Sequence, residues 1–184
     1  MTDLLDWRPF EKSDRPALAR FVCTDPESKI WDGSKKTHPR PWEYTVQSAV
    51  RRHRPRAAHG DQMYLGLDDR GIGAVVAWSR YPDPGQWLLQ LIAVTTRYRG
   101  RGRGWGWARE AVQVSMNAMT EAAAAAGSGR LLVQARIDRR NTASKRLFGE
   151  AGFSYESDHS DDLETWVSYT SLRAATRPAS RPHM

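Results

Sequence analysis

Apolar and polar positions alternate over the first stretch, "LLDWRPFEKSD", which predicts an opening strand. Ser13 then stands as the N-cap of a helix over "DRPALARFV", where Pro16 is tolerated in the first turn. In "THPRPWEYTVQSAVRRH", Trp42, Val46, Ala49 and Val50 fall at helical spacing and predict a second helix. "DQMYLGLDD" and "GIGAVVAWSRY" flank Asp68-Asp69-Arg70-Gly71 and predict a hairpin. Pro82-Asp83-Pro84-Gly85 reads as a turn, and "QWLLQLIAV" after it is apolar on both faces, as suits a central strand covered from both sides. Trp105, Ala108, Val112, Met116 and Met119 then recur at steps of three or four, an amphipathic helix that runs out in "EAAAAAGSG". "RLLVQARI" is a further strand, after which Asn141 caps "TASKRLFGEAG", with Ala143, Leu147 and Ala151 on one face and Gly152 as the stop. Two last strands, "FSYESD" and "LETWVSYTSL", surround an acidic turn. The stretch from Arg173, "RAATRPASRPHM", has no periodicity and is expected to be a disordered tail, residues 173–184, behind one domain of residues 1–172. Strands alternate with helices and no internal repeat occurs, so the pattern predicts a mixed α/β sheet.

Composition narrows this only a little. At 184 residues the chain is one domain's length, and 40% apolar residues with eight Trp supply a core. The net charge is +7, from 28 Lys+Arg against 21 Asp+Glu, and only five of the 28 are Lys. Guanidinium groups bind phosphates and carboxylates in bidentate fashion, so anionic partners come into view, although a general preference for Arg explains the bias equally well. A single cysteine, Cys23, excludes an internal disulfide and suits a reduced, cytoplasmic setting. No basic segment followed by an apolar stretch opens the chain, and no 18-residue apolar run occurs, so neither export nor membrane insertion is expected.

The candidate chemistry lies in "TRYRGRGRGWGW", residues 96–107. A dinucleotide fingerprint fails, because its last glycine position falls on Trp105 or Trp107, and a Walker loop fails for want of any Lys. An Arg-Gly segment for RNA belongs in a low-complexity tract, whereas this one joins a strand to a helix. What remains is a helix N-terminus whose outward N–H groups and dipole suit a phosphate, with glycines that let the main chain approach it.

Arg99-x-x-Gly102-x-Gly104, with Val94 at the strand end before it, resembles the acyl-CoA signature of the GNAT superfamily of N-acetyltransferases. "NTASKRLFGEAGF", Asn141 to Phe153, is similar to that family's second motif, an Asn-capped helix that ends in Gly-Phe. Ser144 and Glu150 give it the form seen in the branch containing ribosomal-protein N-terminal acetyltransferases. The resemblance spans roughly residues 72 to 155. It implies a mixed, mostly antiparallel sheet of six or seven strands flanked by about four helices, with the fourth and fifth strands splayed. It also implies acetyl-CoA as co-substrate and no metal. The backbone of Ile92, Ala93 and Val94 would pair with the pantetheine amides. The N–H groups of Gly100, Arg101, Gly102, Arg103, Gly104 and Trp105 would hold the pyrophosphate, with Arg99, Arg101 and Arg103 adding charge or forming a solvated rim. Asn141 belongs to the cofactor-side set on the same resemblance, and the Val94 N–H would face the thioester oxygen.

Two positions depart from the family. Gln90 stands where many members carry a Glu base, on the face of Val94 if period-two alternation holds, and an amide cannot hold a proton. Phe148 stands where many carry a Tyr that protonates the leaving thiolate; Ser144, one turn earlier, can reach the sulfur or simply bond a backbone carbonyl. Glu164, His159 and Glu43 are the other candidates for a base, unless the acceptor is a low-pKa amine that needs none. The activity implied is transfer of an acetyl group to a primary amine, of a small molecule or a peptide N-terminus, by direct attack in a ternary complex. A catalytically degenerate CoA-binding sensor and a toxin-like acetyltransferase of aminoacyl-tRNA are the alternatives. Residues 29–59 hold eight Lys or Arg with Trp31, Trp42 and Tyr44 between them, which suits a nucleic acid or a solvated face. Glu156, Asp158, Asp161, Asp162 and Glu164 would instead attract a cationic amine. The protein is expected to be a monomer or a homodimer.

Overall fold

The computed structural model describes residues 4–56, 60–98 and 103–172. β1 (Asp6–Pro9) passes through a 3₁₀ turn, Lys12–Asp14, into α1 (Arg15–Ala19). The capping place expected of Ser13 belongs to Asp14 instead. Its carboxylate accepts from both terminal nitrogens of Arg8, at 2.8 and 2.6 Å, and from the Glu11 N–H at 2.8 Å. Neither side chain caps α1 itself: the Asp14 carboxylate is engaged by Arg8 and Glu11, and the Ser13 hydroxyl donates to Glu11 Oε2 at 3.4 Å. β2 (Ile30–Trp31) and β3 (Lys36–Thr37) form a small hairpin that hydropathy does not predict, since two-residue strands carry no alternation. α2 (Pro41–Arg52) begins on Pro41, whose fixed φ suits a first helical position, and buries Gln47 and Val50.

β4 (Gln62–Asp68) and β5 (Gly71–Arg80) form the expected hairpin, closed by Gly71 at φ +105°. β6 (Gln86–Val94) follows a turn in which Asp83 accepts the Gly85 N–H at 2.9 Å. α3 (Arg103–Ala125), β7 (Arg130–Asp138), α4 (Thr142–Glu150), β8 (Ser154–Asp158) and β9 (Leu163–Ser171) complete the order. The sheet has seven strands in the order β1-β4-β5-β6-β7-β9-β8, antiparallel throughout except for β6 with β7. α1 and α2 cover one face, with Leu18 and Val50 packed on Leu65, Val75 and Ala77. α3 and α4 cover the other, with Val112, Met119 and Leu147 packed on Val76, Leu131 and Val133.

β6 does not run through this sandwich in one register. Ala77 lies opposite Leu91 and Trp78 opposite Leu89, so Gln90 is an extra residue, a β-bulge. The bulge shifts the alternation by one. Trp87 and Leu89 pack under α3 and α4, yet Leu91 and Ala93, of the same parity, pack under α1 and α2. The pairing of β6 with β7 also stops here, running only from Gln86 opposite Leu132 to Leu89 opposite Ala135. The fourth and fifth strands of the main sheet are therefore splayed beyond Leu89.

The apolar stripe of α3 is wider than its sequence periodicity indicated. Trp107 and Ala111 are buried beside Val112 and Met119, while Trp105, Ala108 and Met116 border the cluster. Trp107 meets the Tyr98 ring edge-on, with centroids 4.3 Å apart, and a Cβ added to Gly73 would lie 3.0 Å from its ring. It anchors the start of α3 to the sheet. Trp107→Ala is expected to lower stability by about 3–5 kcal/mol, read as a lower urea midpoint with an unchanged slope.

Candidate active site

The parting of β6 and β7 opens a cavity of about 730 Å³. β6 from Leu89 to Thr95 forms one wall and β7 from Ala135 to Asp138 the other. The first turn of α3 contributes Gly104, Trp105 and Ala108, and α4 contributes Ala143, Ser144, Leu147 and Phe148. The far end is closed by Pro41, Trp42 and Glu43 of α2 and by Asp162 and Leu163 of the turn between β8 and β9.

The ladder decides which main-chain groups face this space. The Thr95 N–H donates to the Gly73 carbonyl at 2.9 Å, so the pair of Val94 with Ala74 is a non-hydrogen-bonded one. Alternation then turns the N–H and C=O of Val94 and Ile92 away from β5 and toward the cavity, while those of Ala93 go to Val75 of β5. Of the three residues expected to offer backbone groups, Ile92 and Val94 are the two that can. Gly104 keeps the start of α3 tight against them: a Cβ there would lie 3.4 Å from the Tyr98 carbonyl oxygen and 3.7 Å from Val94 Cγ1.

Other expected residues gather in the same space. Gln90 is exposed at the bulge, and it and Val94 line one cavity even though the bulge breaks the alternation between them. Asn141 Oδ1 accepts the Ser144 N–H at 3.1 Å, which caps α4 and sets Ser144 in the wall. Among the described residues the Ser144 hydroxyl bonds no backbone carbonyl, unlike that of Ser115, which donates to Val112 at 2.8 Å. Phe148 is buried edge-on against Phe153 at 5.0 Å and serves the core. Arg99, Gly100, Arg101 and Gly102 lie outside the described residues, and of Arg103 only the backbone, as the first residue of α3, is described.

Two of the three candidate bases stand apart. The Glu164 carboxylate accepts from Lys145 Nζ at 3.3 Å and from the Trp166 indole at 3.0 Å, and it does not line the cavity. His159 is exposed in the turn between β8 and β9. Glu43 does line the cavity.

Asp138 and Arg140 at the far end were not singled out by sequence, whereas Trp42 was, as part of the basic, aromatic 29–59 surface. The Arg140 guanidinium stacks 5.2 Å above the Trp42 ring and bonds both oxygens of Asp138, at 2.9 and 2.8 Å. It also lies 3.7 Å from Asp162. The hydrogen bond from Arg140 holds the Asp138 carboxyl below its ordinary value, helped by the Arg140 backbone N–H and opposed by burial. The signal in sequence is the run Asp138-Arg139-Arg140 immediately before the second motif. Some of the charges in the two expected fields are paired locally. Asp158 pairs with Arg139 at 3.1 Å, Glu27 with Arg51 at 2.7 Å and Asp61 with Arg56 at 3.3 Å. Arg97, at the head of the Arg-Gly run, donates to the Arg70 and Ile72 carbonyls at 2.9 and 3.0 Å and pins the β4–β5 turn. Among the described residues no group of three or more His, Cys, Asp or Glu is placed to hold a metal, and no helix is long and apolar enough to cross a membrane.

Residues 5–154 match the family model of an acetyltransferase (GNAT) domain. Solved structures share the fold at low identity. An acetyltransferase from Thermus thermophilus is 19% identical with a TM-score of 0.57, over 92% of this chain and 99% of that one. A chain of the NatC complex bound to Gag peptide and CoA is 12% identical with a TM-score of 0.56, over 91% and 99%. A spermidine N-acetyltransferase SpeG chimera from Vibrio cholerae and hSSAT is 11% identical with a TM-score of 0.57, over 90% and 96%. No curated protein is significantly similar to this chain in sequence.

The Asp138–Arg140 pair makes a pH-dependent contribution with a defined sign. A carboxyl whose folded value lies below its unfolded value of about 3.9 stabilises the fold above that pH and ceases to do so as pH falls through the folded value. Asp138→Asn is expected to cost about 1 kcal/mol near pH 7 in urea unfolding. The gap between variant and wild type should close as the pH is lowered toward about 2, below the carboxylate range.

Proposed function

The chain belongs to the GNAT acetyltransferase family, and we propose that it moves the acetyl group of acetyl-CoA onto a primary amine by direct attack in a ternary complex. The observation that carries this reading is the splay between β6 and β7, a slot with main-chain groups of Ile92 and Val94 turned into it and the start of α3 at one end. An extended chain of amides suits that edge as an added strand does. The helix start, with Gly104 and Trp105, suits the pyrophosphate through its N–H groups and dipole, and the glycine leaves the close approach that such binding needs. Acetyl-CoA supplies the acetyl thioester.

The protein's own groups then have distinct tasks. The Val94 N–H serves as the donor for charge that develops on the acetyl oxygen, and one preorganised donor of this kind is worth roughly 3 kcal/mol of barrier. The Ser144 hydroxyl, on the same cavity wall as Phe148, serves the departing sulfur. Gln90, a neutral amide at the bulge, orients the acceptor or a water by hydrogen bonds. The acceptor enters from the α2 side, where Trp42, Glu43 and Asp162 stand. The NatC complex was solved with a peptide and CoA, and the Vibrio protein is named for spermidine; a primary amine is common to both, which supports an amine acceptor here.

Turnover of acetyl-CoA, followed with a thiol-detecting reagent across small amines, peptides and aminoacyl-tRNA, tests the reading. A chain that binds acetyl-CoA and releases no thiol with any of them is a CoA-binding sensor instead. Gly104→Val is expected to weaken acetyl-CoA binding by at least about tenfold in calorimetry with the fold retained, since its branched side chain meets Tyr98 and Val94. Undiminished affinity would remove the cofactor site from this end of the cavity. Ser144→Ala is expected to lower kcat several-fold while leaving the affinity for acetyl-CoA in place.

A further inference from the structure

Behind the acceptor end of the cavity lies a buried polar network directed at one carboxylate. Gln47, 1% exposed, accepts the backbone N–H groups of Cys23 and Thr24 at 3.0 and 3.3 Å and donates to the Glu27 carbonyl at 2.8 Å. This fixes Thr24, also 1% exposed, whose hydroxyl donates to Glu43 Oε2 at 3.1 Å. His38 completes the chain. Its Nδ1 accepts the Arg40 N–H at 2.9 Å, so the ring proton is on Nε2, which donates to the Pro26 carbonyl at 2.8 Å and lies 3.4 Å from the Thr24 oxygen. Burying three polar side chains is costly unless each is bonded; here Gln47 and His38 bond main-chain groups around Thr24, and the Thr24 hydroxyl is left to donate to Glu43.

Three carboxylates line the cavity: Glu43, Asp138 and Asp162. Both oxygens of Asp138 are taken by Arg140. The Asp162 side chain is 73% exposed and lies 3.7 Å from the same guanidinium. The Glu43 side chain is 23% exposed, oriented by the Thr24 hydroxyl, and its second oxygen stands 3.5 Å from Arg40 Nη1. The strand position that faces the cavity at the bulge carries Gln90, which holds no proton.

We infer that Glu43 receives the acceptor's ammonium group and takes its proton, so that the base of this enzyme comes from α2 rather than from β6. The inference rests on the acetyl-transfer reading above. Thr24 and His38 are positioning residues that hold the carboxylate. In the step, the ammonium gives one proton to Glu43, and its freed lone pair forms the C–N bond to the acetyl carbon as the C–S bond breaks. The second nitrogen proton passes to the departing sulfur, and Glu43 returns its proton to solvent. An ammonium and an acetyl thioester thus become an amide, a thiol and one solvent proton. The charged and titratable groups that share this space are Arg40 at the N-cap of α2, Cys23 and His38 on the segments before it, Tyr98 ahead of α3, and Arg136, Asp138, Arg140 and Asp162 on the opposite walls. None of these others is a carboxylate held by buried donors.

The test is the pH profile of kcat/KM for the acceptor, at saturating acetyl-CoA, with two probes, a Ser-Ala-Ala peptide amide and spermidine, whose amines differ in basicity. A carboxylate base acting on an ammonium gives a plateau, with a lower edge set by the carboxyl group and an upper edge set by the acceptor amine. The lower edge should be common to both probes and the upper edge should move with the amine. Glu43→Gln is expected to lower kcat/KM on the order of 100-fold, to leave acetyl-CoA affinity unchanged in calorimetry, and to replace the plateau by a slope that rises to the amine pKa. Glu43→Asp should restore the plateau at a lower height. If Glu43→Gln loses its fold, Thr24→Val decides, with an expected fall in kcat of about tenfold and a displaced lower edge. A wild-type rate and profile in Glu43→Gln, or in Thr24→Val where that variant decides, overturns the role of Glu43 and leaves acetyl transfer standing. A wild-type chain that releases no thiol with either probe overturns both.

Discussion

One inserted residue governs this molecule. Gln90 has no partner on β5, and by occupying that place it reverses which side chains of β6 face which layer of helices. Without it, Leu91 and Ala93 would fall on the α3–α4 side, where Trp87 and Leu89 already fill the core. The same point ends the parallel pairing with β7. A bulged strand bends and twists away from its neighbour, so the reversal of faces and the opening of the sheet are two results of one local event. Main-chain groups that a closed sheet would satisfy internally are thereby turned toward a cavity, and the cavity inherits its polar edge from the backbone rather than from side chains.

That event was not visible in the amino-acid pattern. "QWLLQLIAV" is apolar on both faces, and a change of phase leaves no trace in a strand that has no polar face to displace. What was legible were features with a local cause: the hairpin at Asp68-Asp69-Arg70-Gly71 and the Asn141 cap. One expectation missed by a residue: α1 starts after Asp14 rather than Ser13, whose hydroxyl turns to Glu11 while Arg8, six residues before Asp14, holds the Asp14 carboxylate. At the acceptor end, Trp42, Glu43 and Asp162 were each legible as candidates, but Arg140 and the way these residues meet were not. Trp42, Arg140 and Asp162 come from three distant segments, and their meeting depends on how α2, the loop before α4 and the β8–β9 turn are brought together.

The abundance of arginine looks different once partners are assigned. Arg8, Arg97 and Arg140 each bind a carboxylate or carbonyls at a corner where two elements join. Their forked donors suit this task, because two bonds to one acceptor fix an angle as well as a distance. A positive net charge and a set of internal braces are therefore drawn from the same residues.

The two ends of the cavity draw on the chain differently. Backbone groups and the helix start that suit the cofactor lie after residue 90, whereas the acceptor end joins Glu43, its buried supports and Trp42, which precede β4, to Arg140 and Asp162, which follow β7. The earlier segment is tied together largely through Gln47, whose single amide holds the loop from Cys23 to Glu27 against α2. Residues 24–43 thus answer to one side chain: a substitution at Gln47 would reach Glu43 through the loop, by way of Thr24, and leave the thioester-binding half untouched.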